Sequence, residues 1–267
     1  MNTPAIASLR RKLAADVPTH GLWVTLEAPA VSEMAAALGL DWIVIDAEHG
    51  ALDWRDIAAH LRAVVRSDTA ALVRLVENDR GLIKRALDLG ADGVVLPRIE
   101  TPHELARAVA AATYPPEGCR GLGAERATAW GRAAAQHTAE ANAHVLVVPI
   151  IETVAGGRNI RGLVAVPGVD LFQLGPADYS ADAGFRGQWE GPGVAEALLE
   201  IKDAVRSAGK SCGILARDAA DLALRCEQGF RFLGLGMDAS LLLSGIEAML
   251  RSLGRNPVIA ADLRPSG

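Results

Sequence analysis

Lysine is scarce in this chain and stands only at Lys12, Lys84, Lys202 and Lys210. None falls at the C-terminal end of an apolar run, which excludes a Schiff-base lysine inside a catalytic mouth. Cysteine is as sparse: Cys119, Cys212 and Cys226 are odd in number, widely spaced and make no CxxC. A disulfide framework is thereby excluded, and a reduced, cytoplasmic setting is expected. Basic runs are missing too. The formal net charge is -5 and the 27 Lys and Arg residues are dispersed, so nucleic acid is not an expected partner. No run approaches the ~20 apolar residues of a membrane span. Residues 1–15 lack the apolar segment of a signal peptide and read as a short amphipathic helix. Also absent is a glycine-rich phosphate turn after the first apolar run. Glu27, Ala28, Pro29 and Ala30 stand there instead, which argues against an open dinucleotide-binding sheet.

What is present repeats. Strand-like runs at 22–26, 41–46, 71–76, 93–96, 144–151, 169–174, 211–215 and 230–236 each precede a helical stretch. Those stretches lie at 31–38, 54–65, 80–89, 102–112, 159–164, 193–208, 218–228 and 239–250. Apolar runs of this length read as strands buried on both faces, and strand–helix alternation demands a parallel sheet. Eight units in 267 residues predict one (β/α)8 barrel domain spanning 1–267. Gly39, Gly90, Gly209 and Gly229 fall between helices and following strands, where a left-handed cap is wanted. The stretch 114–137 is long for a loop and is a candidate border of the site. Its plainer reading is an exposed connection with some helix near 124–136.

In such a barrel the site lies at the C-terminal strand ends. Those ends carry Asp46, Glu48 and His49 after the second strand, Arg74 in the third and Arg98 after the fourth. Glu152 follows the fifth strand, Asp178 the sixth, and Leu215, Ala216 and Arg217 the seventh. Glu152 and Asp178 are oxygen ligands suited to one hard divalent cation with positions open to substrate. Each is alternatively an N-cap of the next helix. His49, beside two acids, is placed for proton transfer. Arg74, inside an apolar strand, must meet an anion: either an internal partner such as Asp46 or Glu48, or a substrate oxyanion. The turn at 234–236, followed by Met237 and Asp238, reads as a tight turn with Asp238 as N-cap rather than a phosphate cradle.

Taken together, GLW at 21–23, DAEH at 46–49, VR at 73–74, ALDLG at 86–90, YPPEGCRG at 114–121, IET at 151–153, GPADYS at 175–180 and GIL at 213–215 cover nearly the whole chain. In these segments it resembles the metal-dependent class II pyruvate aldolases of the HpcH/HpaI family. The resemblance implies a barrel whose last helix is exchanged between subunits of a hexameric trimer of dimers. It implies reversible cleavage of a 4-hydroxy-2-oxo acid to pyruvate and an aldehyde, with Mg²⁺, Mn²⁺ or Co²⁺ held by Glu152 and Asp178. It further implies that Arg74 stabilises the enolate oxygen and that His49, oriented by Asp46, moves the proton. Asp88 would come from a neighbouring subunit. The backbone of Gly175, Pro176 and Ala177 would bind the pyruvate carboxylate, and Trp23 and Leu215 would line the mouth. A lyase acting on a CoA thioester is the alternative on the same barrel. The chain departs from the family at Ile150, where Gln is usual two residues before the metal Glu, so the pose of bound pyruvate is expected to differ. Tyr179 replaces a commoner Leu and Ala47 a commoner Gly.

Overall fold

A computed structural model describes residues 2–258. The predicted domain span of 1–267 runs past both limits, and Met1 and 259–267 lie outside the described residues. Eight parallel strands close in sequence order into a barrel: β1 (Thr19–Val24), β2 (Trp42–Asp46), β3 (Ala70–Arg74), β4 (Gly93–Leu96), β5 (Leu146–Ile151), β6 (Leu171–Leu174), β7 (Ser211–Leu215) and β8 (Phe232–Met237). The expected (β/α)8 architecture is what is found.

Side-chain parity sorts each strand into two layers. Inward residues such as Trp42, Val44, Leu72, Val95, Val148 and Phe232 fill the barrel. Trp42 stacks on Phe232 with ring centroids 3.7 Å apart. Gly21 makes this possible, since a Cβ there would lie 2.1 Å from the Trp42 ring. Outward residues such as Ile43, Val73, Val147 and Phe172 pack under the surrounding helices. Helix α1 (Thr3–Ala14) is the predicted amphipathic segment, and its Ala5, Ile6, Leu9 and Leu13 join the interior cluster and plug the N-terminal end of the barrel.

The loops at the opposite end turn into helices through side-chain caps. Asp53 caps α3 (Trp54–Val64), which follows α2 (Pro29–Ala37); Asp79 caps α4 (Arg80–Asp88) and Thr101 caps α5 (Pro102–Ala112). Each side-chain oxygen accepts from first-turn N–H groups that have no partner within the helix. The four predicted helix-terminating glycines all have positive φ, between 74° and 96°.

Several expected boundaries move. The first strand was expected at 22–26 but starts at Thr19 and stops at Val24, because the Asp238 carboxylate pulls the next residues out of the ladder. It accepts from Thr25 N (2.9 Å), Thr25 Oγ1 (2.7 Å) and Leu26 N (3.0 Å). The same contacts correct the role of Asp238. It is the first residue of α12 (Asp238–Ser252), with Met237 at the cap position. The expected turn at 234–236 is strand, accommodated by a register shift against β1 between Gly21 and Trp23. The helix expected near 124–136 is a short 3-10 turn at Arg126–Thr128 together with the start of α6 (Ala134–His144), whose last residue, His144, was expected to begin the fifth strand. The short helix expected at 159–164 is a pair, α7 (Val154–Arg158) and α8 (Ile160–Leu163). Before α10 (Val194–Ser207) an unpredicted α9 (Pro176–Asp182) follows β6 directly, and α11 (Ala219–Glu227) follows β7. No helix among the described residues is long and apolar enough to cross a membrane.

Candidate active site

Strand register decides which side chains meet at the C-terminal mouth. Asp46 and Arg74 are Cα partners at the ends of β2 and β3, so both point inward at one level. Arg74 Nε donates to Asp46 Oδ1 at 2.9 Å, its Nη2 donates to Asp46 Oδ2, and its Nη1 lies 2.9 Å from Glu48 Oε2. Its guanidinium also lies over the Trp23 ring, 4.7 Å from the centroid. Asp46 is fully buried and Arg74 nearly so. The internal ion pair foreseen for Arg74 therefore exists with both named partners. A guanidinium carries five N–H donors, so its terminal nitrogens keep donors for a ligand in the mouth.

A cavity of about 380 Å³ opens there. Of the sequence-predicted residues it is lined by Trp23, His49, Arg74, Ile150, Glu152, Gly175, Pro176, Ala177, Asp178 and Leu215. Asp46 stands behind Arg74. No lysine lines the cavity, as the sequence required.

Glu152 is 3% exposed. Its Oε1 accepts from Arg98 N at 2.7 Å, an amide aimed by a left-handed Arg98 at φ 50°. That single bond favours the anion, but burial dominates, and the nearby Asp178 and Glu48 charges add to it. The Glu152 carboxyl is pushed up to about 7. Glu48 is also raised, by burial first, against the pull of Arg74. Clustered acids that resist ionisation are what a divalent cation would relieve. The capping alternative fails for both: Thr153 caps α7, and Asp178 lies in the first turn of α9, whose cap position is Gly175. Among the described residues no cluster of three or more His, Cys, Asp or Glu side chains is assembled for a metal. The site thus offers two carboxylates and leaves further coordination to substrate and water.

Two predicted placements need correction. Asp46 does not meet the His49 ring; its Oδ1 accepts the main-chain N–H of His49 at 3.1 Å and of Glu48 at 3.0 Å, and both its oxygens pair with Arg74. Of the three residues expected to bind a carboxylate by backbone, only Ala177 has an amide to offer. Gly175 N donates to Ile151 O at 3.1 Å, and Pro176 has no N–H. Asp88, which the resemblance draws from a neighbouring subunit, ends α4 at the far end of its own barrel from the mouth and accepts from Arg120 Nη2 at 3.1 Å. The 114–137 stretch lies on that side as well, with Arg126 donating to Leu89 O and Leu61 O, and none of it lines this cavity.

Sequence reasoning missed Trp189, Met237, Leu174 and Gln173, which also line the cavity. Trp189 sits in an irregular segment between α9 and α10 under the Arg217 guanidinium, 5.2 Å from its ring centroid. No strand pattern flags it. Gln173 did leave a signal: a lone amide in an apolar run, two residues from the inward Leu171 and so on the same face.

A model of the HpcH/HpaI aldolase/citrate lyase family matches residues 19–245. The chain is 37% identical over 252 residues to a 4-hydroxy-2-oxovalerate aldolase of Novosphingobium aromaticivorans, covering 94% of this chain and 95% of that one. It is 36% identical over 234 residues to a hydroxypyruvate/pyruvate aldolase of Chromohalobacter salexigens, covering 86% and 92% respectively. Among solved structures, an HpcH/HpaI aldolase/citrate lyase family protein from Burkholderia cenocepacia superposes with a TM-score of 0.89 at 35% identity, covering 92% of this chain and 99% of that one.

Proposed function

The chain belongs to the HpcH/HpaI aldolase/citrate lyase family, and we propose on that footing that it is a divalent-metal-dependent aldolase. It is a carbon–carbon lyase of the aldolase type, like its named relatives. The reaction we assign is reversible cleavage of a 4-hydroxy-2-oxo acid to pyruvate and an aldehyde. The observation that carries this reading is the pairing of under-compensated Glu152 with Asp178 in one cavity, facing Arg74 and His49.

A cation such as Mg²⁺, Mn²⁺ or Co²⁺ held by Glu152 and Asp178 would supply Lewis-acid stabilisation of charge developing on the 2-oxo group. The chain's own residues do the rest. Arg74, fixed by Asp46 and Glu48, presents its remaining N–H donors to the same oxygen. Ala177 N–H, at the start of α9, binds the substrate carboxylate. Exposed His49 at the rim accepts the proton of the 4-hydroxyl and returns it in the reverse direction. Trp23, Leu215 and Trp189 form the apolar walls that receive the aldehyde portion. A CoA thioester is disfavoured because Arg74 is the one Lys or Arg lining the cavity, and both its neighbours are acids. Comparing pyruvate release from a 4-hydroxy-2-oxo acid with cleavage of malyl-CoA separates the two; cleavage of malyl-CoA alone would reverse the assignment.

Assembly is part of the proposal. Helix α12 exposes Leu242 (59%), Met249 (68%) and Leu253 (73%) along one side, more apolar surface than an isolated helix leaves in water. We assign this side to a second copy of the chain, as an exchanged C-terminal helix within a trimer of dimers. The same assembly would bring Asp88 of one subunit toward the mouth of another. Three cysteines that form no disulfide support a cytoplasmic location.

A further inference from the structure

Two indoles line the cavity, and each has an arginine against it. The Arg74 guanidinium lies 4.7 Å from the Trp23 ring centroid, and that of Arg217 lies 5.2 Å from the Trp189 centroid. Trp189 is presented by the irregular segment 183–193, which joins α9 to α10. That segment is a chain of tight turns: Gln188 N donates to Phe185 O (3.1 Å), Gly191 N to Gln188 O (2.9 Å) and Val194 N to Gly191 O (2.9 Å). Gly191 lets the turns close on Phe185, since a Cβ there would lie 2.8 Å from that ring. The residue after Trp189 ties the segment to α11. Glu190 Oε1 accepts from Arg217 Nη2 at 3.3 Å and from Arg225 Nη2 at 3.2 Å. Both arginines are themselves fixed by buried Asp221, which accepts from Arg217 N at 3.0 Å, Arg217 Nη2 at 3.1 Å and Arg225 Nε at 3.0 Å.

Glu190 is exposed, and an exposed ion pair adds little to stability. What its place beside Trp189 does is hold the indole at the mouth. Two carboxylates answer two guanidiniums, so the cluster leaves no charge over for a ligand, and neither Arg217 nor Arg225 lines the cavity. Leu174, Leu215 and Met237 complete an apolar wall. An aldehyde carrying a carboxylate finds no cation on that wall. A flat apolar group finds two indoles, and aromatic pairs gain affinity beyond the area they bury. The cavity of about 380 Å³ falls in the range that holds drug-sized ligands and exceeds what pyruvate fills. Resting on the reading above of this cavity as an aldolase site, we propose that Trp189 is a specificity-determining residue selecting an aryl aldehyde as acceptor, and that Glu190 and Arg217 are positioning residues that hold its ring. Addition joins C3 of pyruvate to the aldehyde carbon, and the proton lost from C3 is matched by the one gained at the new 4-hydroxyl. The products would be 4-aryl-4-hydroxy-2-oxobutanoates.

The test measures aldol addition of pyruvate to benzaldehyde and to acetaldehyde in the metal-loaded wild type, Trp189→Ala and Glu190→Ala. The wild type should show the lower KM for benzaldehyde. The ratio of kcat/KM for benzaldehyde to that for acetaldehyde should fall on the order of tenfold in Trp189→Ala. In Glu190→Ala it should fall severalfold, through KM. Binding of benzyl alcohol, an unreactive mimic of the aryl aldehyde, is followed separately by NMR titration, and its dissociation constant should rise in parallel. A lower wild-type KM for acetaldehyde, a ratio changed by less than about twofold in Trp189→Ala, or an equal loss for both aldehydes overturns the inference and leaves Trp189 a packing residue. A ratio unmoved in Glu190→Ala overturns the positioning role alone. If the wild type turns over neither aldehyde with pyruvate, the aldolase reading fails, and benzyl alcohol binding still decides whether Trp189 selects an aryl group. Thermal unfolding checks that the barrel of Trp189→Ala is intact, and Trp189→Leu, which keeps apolar bulk without the rings, is the second variant should it not be.

Discussion

Glu152 is the residue on which local physics and chemistry pull hardest against each other. In the metal-free chain its carboxyl titrates near 7, against an ordinary 4.5, so the folded protein holds that proton more tightly than the unfolded one. The stabilisation is complete below pH 4.5 and is lost as pH rises through 7. Glu152→Gln keeps an acceptor for Arg98 N–H and never ionises. It should raise the stability of the metal-free protein at pH 8, on the order of 1–3 kcal/mol, with little difference at pH 4, while abolishing turnover. Urea titrations at the two pH values check this; equal stability changes at both would contradict the burial argument. Arg74 makes the complementary case. Arg74→Ala leaves Asp46 buried without its partner, so it should cost on the order of 3 kcal/mol and remove catalysis while divalent-cation binding, read by calorimetry, persists. Loss of both together would mean that Arg74 shapes the metal site rather than the reaction.

At the scale of elements, the sequence was legible where period and parity decide. Eight apolar runs, their helices and the glycine caps were readable because a strand buried on both faces and a capped helix leave plain patterns. So were the mouth residues, since strand ends carry them. The misses share a physical cause: contacts between segments distant in sequence override local pattern. Asp238 shortened the first strand by binding Thr25 and Leu26, more than 200 residues away. The register of β2 against β3 turns Asp46 toward Arg74, and its carboxylate meets the main chain of His49 rather than the ring. Gln173 left only the weak signal of a lone amide in an apolar run, which a reading of strand ends does not pick out. Packing inside the barrel is tight at Gly21, and Gly21→Ala should destabilise the fold by about 2 kcal/mol through its clash with Trp42. A melting temperature unchanged from the wild type would count against that packing.

For the whole molecule, one closed barrel brings Glu152, Asp178, Arg74 and His49 into a single cavity, and the proposed assembly would cover the apolar side of α12. Leu242→Glu combined with Ile246→Glu should dissociate the assembly in sedimentation experiments and lower activity at least tenfold, with secondary structure retained. An assembly of unchanged mass would remove α12 from the interface. The central claim concerns the cation between Glu152 and Asp178, and pyruvate release from a 4-hydroxy-2-oxo acid tests it most directly. EDTA-treated protein should release none, and Mg²⁺, Mn²⁺ or Co²⁺ should restore the rate. A full rate in the chelated protein, or no pyruvate with any of the three metals, would contradict it.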